Sequence, residues 1–115
     1  MIYFQKRGNK YGAKSSIYNG IAYHSKKEAG YAQELDLRIK AKDIKKWERQ
    51  VPIELRVNGE LIAKYYVDFK IYHNDKSEEL VEVKGFETEV FRLKRKLLEA
   101  TLLKEHPEII YTIVK

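Results

Sequence analysis

The residues with chemical content are Asp68 and the triplet Glu82-Val83-Lys84. On an extended strand residues two apart share a face, so Glu82 and Lys84 project together while Val81 and Val83 point the other way. The same acid-x-base spacing recurs at Asp43-Ile44-Lys45 and Asp68-Phe69-Lys70, so placement rather than spacing singles the triplet out. Asp68 stands between Val67 and Phe69, and Glu82 between Val81 and Val83. A turn centred near Asp75 and Lys76 sets Asp68 opposite Glu82 or Val83 in an antiparallel pair. Two carboxylates and an ammonium then converge. Such oxygen ligands suit hard Mg²⁺, for which Mn²⁺ can substitute; the ion takes one or two protein carboxylates, keeps several waters and polarises a phosphate. Lys84 can orient or help deprotonate the attacking water, or hold a phosphate oxygen. The plainer reading is a cross-strand ion pair on a solvated face, which contributes little. Charges beside a covered core are costly unless paired or metal-bound, and that cost favours the chemical reading.

Glu28 is a further candidate. Its helical neighbours Tyr31, Ala32, Leu35 and Ile39 put it at the head of an apolar stripe, from which a carboxylate can look into a site at a sheet edge. With Ser25 it also makes an ordinary capping box, and both readings use the same oxygens. Arg92, Lys94, Arg95 and Lys96 follow Gly85 closely. Lys94 and Arg95, three and four positions after Phe91, are placed to lean toward the sheet, with Arg92 and Lys96 more exposed. A phosphate clamp or a solvated basic face would each use them. His24, His73 and His106 lack metal-ligand spacing and read as surface residues; Trp47 and Phe86 read as packing residues.

The elements that must position these groups are marked by turns and caps. Asn19-Gly20 joins two short strands, and Asn58-Gly59 joins residues 51–57 to a strand from 60 to about 72, each pair supplying the positive φ angles of a type I′ hairpin. Between the hairpins a helix runs from the Ser25 cap to about Ala41. A short strand is expected over 44–47, a polar turn over 73–78 and a strand over 79–84 ended by Gly85. Thr88 caps a second helix that continues until Pro107, and 109–114 is the last strand. The expected fold class is α+β, a mixed sheet flanked by helices.

Length and charge bound the rest. One domain fits 115 residues, and 43% hydrophobic with 35% charged residues gives a chain that can bury a core. The absence of Cys excludes disulfides, thiolate metal sites and a Cys nucleophile. No signal peptide or membrane span is evident, so a cytoplasmic protein is expected. The 23 basic and 17 acidic residues give +6, and the first acid is Glu28. Lys6, Arg7, Lys10, Lys14, Lys26 and Lys27 therefore form a basic arm, interleaved with Tyr3, Phe4, Tyr11, Tyr18 and Tyr23. Cations with aromatic rings suit a polyanion such as DNA. Residues 1–24 read as arm and hairpin, and 25–115 as the core.

The order of a Glu28 helix, an Asp68 strand, the Glu82-Val83-Lys84 strand and a basic helix resembles the PD-(D/E)XK nuclease superfamily in its minimal αβββαβ, restriction-endonuclease-like form. Stretches such as NKYGAK, SKKEA, YYVDF, VEVKG and VFRLKRKLLEA resemble small phage and prophage proteins of that type. The resemblance implies a Mg²⁺-dependent endonuclease with Asp68 and Glu82 as metal ligands, the Val83 backbone carbonyl as a third, Lys84 as catalytic lysine and Glu28 as a water-mediated ligand. Val67 stands where the Pro that names the motif would be. Without a sequence-reading module, the expected substrate is branched or four-way junction (Holliday junction) DNA in phage recombination or packaging, in the host cytoplasm. Cutting both strands needs two sites, hence a homodimer. No organic cofactor is expected. Two other readings stand beside this one: a non-catalytic nucleic-acid-binding protein of phage DNA metabolism, and an interaction module whose charge keeps it soluble.

Overall fold

The computed structural model describes residues 16–115; Lys6, Arg7, Lys10 and Lys14 of the basic arm lie outside them. The elements follow in the order β1 (Ser16–Tyr18), β2 (Ile21–Tyr23), α1 (Lys26–Lys40), β3 (Lys46–Val57), β4 (Glu60–Tyr72), β5 (Glu78–Val83), α2 (Glu89–Ala100), α3 (Leu102–Glu105) and β6 (Ile110–Val114). The fold is α+β. Among the described residues no helix is long and apolar enough to cross a membrane. The described residues divide into two compact units, 16–44 and Lys45–Lys115, with α1 grouped with the β1–β2 hairpin.

In the first unit, Asn19 (φ 52°) and Gly20 (φ 79°) turn the hairpin, the left-handed pair that a two-residue loop requires. Ser25 Oγ accepts the Glu28 N–H at 3.0 Å and starts α1. The helix packs on the hairpin, where the Tyr18 hydroxyl donates to Asp36 Oδ2 at 2.6 Å. Glu28, Ala29, Ala32 and Leu35 are the buried residues of α1; Ile39, one turn further on, is exposed. The helix ends without glycine. Lys42 takes the left-handed position at φ 61°, while its N–H donates to the Ile39 carbonyl and that of Asp43 to the Arg38 carbonyl, closing a Schellman motif.

The second unit is a four-stranded mixed sheet in the order β3-β4-β5-β6. β3, β4 and β5 form an antiparallel meander, turned by Asn58 (φ 51°) and Gly59 (φ 84°) and then by the His73–Ser77 loop, where the His73 N–H donates to the Ser77 carbonyl. The strand expected over 44–47 is the start of β3 itself, which runs on through Pro52. An edge strand tolerates a residue without an N–H. A bulge places Ile62 out of register between the Arg56↔Leu61 and Leu55↔Ala63 pairs. α2 crosses over from β5 to β6, which pairs parallel to β5. Thr88 Oγ1 accepts the Phe91 N–H at 3.1 Å as N-cap. The second helix does not reach Pro107 unbroken: at Thr101 (φ −114°, ψ −89°) the hydroxyl donates back to the Leu97 carbonyl at 2.7 Å, and the chain restarts as α3.

The core of this unit lies between α2 and one sheet face. Leu55, Tyr65, Val67, Leu80, Phe91 and Leu98 are buried together, flanked by Val51, Ile53, Leu97, Tyr111 and Ile113. Each fully buried leucine contributes about 1.5–3 kcal/mol relative to exposure.

Candidate functional site

Asp68 and Glu82 are both fully buried, at 0% exposure. They meet where the β4–β5 ladder ends. The last paired rung is Phe69↔Val81, and the next position along each strand is Asp68 and Glu82. Instead of another backbone rung, Asp68 Oδ2 accepts the Val83 N–H at 2.8 Å. A side-chain carboxylate thus takes a main-chain donor where the strands separate.

The neighbouring strand has a matching irregularity. Arg49 pairs with Phe69 and Val51 with Val67, which leaves Gln50 facing Asp68 outside the ladder, with φ 52°. Both strands change their in-out alternation at this rung. After it in β3, Val51 and Ile53 pack with the α2-side core; before it, Trp47 meets the Phe69 ring edge-on at 5.5 Å. In β4, Tyr65 and Val67 belong to the same core as Leu80. Phe69 instead pairs with Val81, whose side chain leaves β5 on the face opposite to Leu80. Val67, Asp68 and Phe69 are buried in succession across this rung.

All four carboxylate oxygens have a protein neighbour. Asp68 Oδ1 accepts from Gln50 Nε2 at 3.5 Å and Oδ2 from Val83. Glu82 Oε1 accepts from the Tyr65 hydroxyl at 3.2 Å, and that hydroxyl lies 2.9 Å from the Tyr111 hydroxyl. Glu82 Oε2 is buried and accepts no hydrogen bond; the Lys84 ammonium, 3.3 Å away, makes an ion pair with it. The same ammonium lies 4.6 Å from the centre of the Phe91 ring, over which the Arg95 guanidinium also sits at 5.6 Å. Cation–π contact of this kind is strengthened by desolvation.

Burial, and then the negative charge of Asp68, push the Glu82 carboxyl up to about 7 against the pull of Lys84. Asp68 is raised as well, by burial, with the Val83 N–H and Lys84 opposing. Burial followed by the charge of Glu82 raises the Tyr65 phenol, and burial takes Tyr111 up to about 12. The tyrosines therefore remain donors, and the carboxylate pair is one that a nearby cation would relieve.

The donor set fits a hard divalent ion. Two carboxylates stand side by side, and one has a buried oxygen without a hydrogen bond. Among the described residues no group of three or more His, Cys, Asp and Glu gathers, so an ion here would rely on two carboxylates, a main-chain carbonyl and water, as Mg²⁺ does. Oδ2 and Oε1 are anchored by Val83 and Tyr65; Oε2 has only the Lys84 ion pair, and Oδ1, with the single long contact from Gln50, keeps a second lone pair.

Asp68, Glu82, Val83 and Lys84 thus come together within the second unit. Glu28 belongs to the first, where it is buried and its N–H completes the Ser25 cap. Lys26 and Lys27 are exposed at the start of α1. Lys94 and Arg95 are half-buried and Arg92 and Lys96 exposed, as their spacing from Phe91 requires. The three expected DNA contacts on α2 are engaged internally: Arg92 with the Glu87 carbonyl at 3.0 Å, Lys94 with the Lys64 carbonyl at 3.2 Å, and Arg95 with the Glu87 carboxylate at 3.5 Å.

Sequence reasoning passes over Gln50, Tyr65 and Tyr111. The signal for the tyrosines is a general one, that a buried phenol needs a hydrogen-bond partner. Phe86, read as a packing residue, is 78% exposed; it follows Gly85, where the chain has left the sheet. His73, read as a surface residue, is half-buried beside Glu79 at 2.8 Å, and Glu79 also accepts from Thr112 at 2.6 Å.

No curated protein and no solved structure matches the chain. Residues 8–115 match the family described as "Protein of unknown function (DUF1064)". That match covers nearly the whole chain, which therefore belongs to the DUF1064 family.

Proposed function

We propose that this protein is a Mg²⁺-dependent DNA endonuclease of the PD-(D/E)XK type, acting on branched DNA in phage recombination or packaging. The observation that carries the reading is the buried Asp68–Glu82 pair with Lys84 at 3.3 Å from Glu82 Oε2. Two acids with no exposure gain nothing as surface ion pairs, and their mutual repulsion, which raises the Glu82 carboxyl, is relieved by a proton or by a shared cation.

In this reading Asp68 and Glu82 would hold the ion, with the Val83 carbonyl as a further donor. When bound, the ion supplies charge neutralisation at the scissile phosphate and lowers the pKa of water. Lys84, paired with Glu82 Oε2 and confined by the Phe91 ring, would hold the attacking water or a phosphate oxygen. Tyr65 keeps Glu82 Oε1 turned toward the core. The basic arm and the α2 cations bind the phosphate backbone, and a homodimer brings two sites to one junction.

The test is cleavage of labelled linear duplex, single strand, flap and four-way junction with Mg²⁺, Mn²⁺ or chelator. Metal-dependent cutting that Asp68→Asn and Glu82→Gln abolish, with DNA binding kept, is the expected result. Binding without cutting of any substrate under any metal leaves the non-catalytic DNA-binding protein instead.

A further inference from the structure

Gln50 holds a backbone conformation that its own side chain disfavours. Its φ of 52° lies in the left-handed region, where glycine alone meets no crowding from a Cβ. Asn19, Asn58 and Lys76 adopt positive φ in turns and Lys42 at a helix end, whereas Gln50 does so inside the twelve-residue strand β3. Strain of this kind persists where the surroundings over-determine it, and it collects at functional positions. The position facing Gln50 is Asp68, and the Gln50 carboxamide nitrogen reaches Asp68 Oδ1 at 3.5 Å.

A carboxylate held at one oxygen can still turn about that contact. Asp68 Oδ2 is fixed by the Val83 N–H on one side, so the Gln50 amide on Oδ1 defines the plane of the group. A regular β-residue at position 50 would project to one face of the sheet; the left-handed turn redirects the side chain to the rung where both strands reset their alternation.

We propose that Gln50 is a positioning residue for Asp68, and that its left-handed backbone is retained because it delivers a carboxamide to Oδ1. The carboxamide holds Asp68 in the orientation in which it shares a divalent cation with Glu82, so the proposal rests on the metal-site reading above. Supporting side chains of this kind change metal affinity by about 10–100-fold when removed.

Backbone and side chain make opposite demands here, and a glycine separates them. Gln50→Gly removes the carboxamide while relieving the φ angle. Mn²⁺ binding to the full chain is measured by calorimetry and folding by thermal melting, for wild type, Gln50→Gly, Gln50→Asn and Asp68→Asn. The expected result is a Gln50→Gly melting temperature equal to or above wild type, with a Mn²⁺ Kd raised about tenfold or more. Gln50→Asn, which suits the left-handed region but is one methylene shorter, should weaken Mn²⁺ similarly, and it decides the matter if the glycine variant does not fold. Wild-type Mn²⁺ affinity in the folded Gln50 variants, together with its loss in Asp68→Asn, overturns the role of Gln50 and leaves the metal site standing. Failure of wild type itself to bind Mn²⁺ or Mg²⁺ removes the metal site and the positioning role with it.

Discussion

Tyr65 donates its hydroxyl to Glu82 Oε1 at 3.2 Å from within the core, while Lys84 approaches the other oxygen of the same carboxylate at 3.3 Å. One side of Glu82 is thereby tied to the packed interior and the other to the Lys84 ammonium. Asp68 repeats the arrangement, with a 2.8 Å main-chain bond on one oxygen and a 3.5 Å amide contact on the other. Each carboxylate thus has one firmly anchored oxygen and one held less closely.

Removing the anchored side should therefore affect stability. Tyr65→Phe leaves Glu82 Oε1 buried without a donor, a loss of about 1–3 kcal/mol, measured by urea denaturation at pH 8. Tyr111→Phe should cost less, because Tyr111 is half-buried and contacts Glu82 only through Tyr65. Equal and negligible losses for the two would show that the Tyr65–Glu82 bond is not made in solution.

The raised Glu82 carboxyl gives a pH dependence with a definite sign. In the folded metal-free protein this group takes its proton at about 7, against 4.5 as the ordinary value. Between those values the folded state binds more protons than the unfolded state, so stability falls as pH rises. The contribution is fully present below about pH 4.5 and is lost as pH climbs through about 7. Asp68, also raised, acts in the same direction. The midpoint of urea unfolding should decline across this window more steeply in wild type than in Glu82→Gln, whose amide does not titrate. Parallel curves for the two proteins would mean that Glu82 is ionised throughout.

Much of the fold was legible because its turns and caps are local. The Asn-Gly pairs, Ser25 and Thr88 each state a backbone angle or a hydrogen bond in their own chemistry. Asp68 opposite Glu82 or Val83 followed from the turn centre, and the Phe69↔Val81 rung selects Glu82. The rest was not local. Nothing around Gln50 marks a left-handed residue, since a polar side chain followed by Val51 and Pro52 reads as ordinary edge strand. The face reset depends on two strands at once, and the Tyr65–Tyr111 contact joins residues 46 positions apart. The break at Thr101 comes from a hydroxyl competing for the Leu97 carbonyl, a choice that helix propensity does not encode.

Asp68 has a structural duty separable from its chemistry. Asp68→Asn retains a carbonyl oxygen to accept the Val83 N–H, whereas Asp68→Ala leaves that N–H buried and unpaired at a cost of about 1–3 kcal/mol. The asparagine variant also removes a charge that opposes Glu82. It should therefore unfold at a urea concentration equal to or above wild type, with the alanine variant below both. An alanine variant as stable as asparagine would place a water, rather than Asp68, on the Val83 N–H.

The two described sets of basic residues should differ in DNA binding. Arg92, Lys94 and Arg95 already bind oxygens of Glu87 and Lys64, so each phosphate contact displaces an internal one. Lys26 and Lys27 sit exposed in the first turn of α1, where a positive charge opposes the helix dipole and an anion relieves it. Replacing both with alanine should flatten the slope of log affinity against log salt by about 1.8, the value for two phosphates, while leaving the melting temperature unchanged or raised. Lys94→Ala with Arg95→Ala should change the slope less, because the displaced internal contacts offset part of the phosphate gain. Titration of a fluorescent duplex from low to moderate salt reads both slopes. A larger change from the α2 pair would locate the main phosphate contacts on the second unit, beside Lys84 rather than on α1.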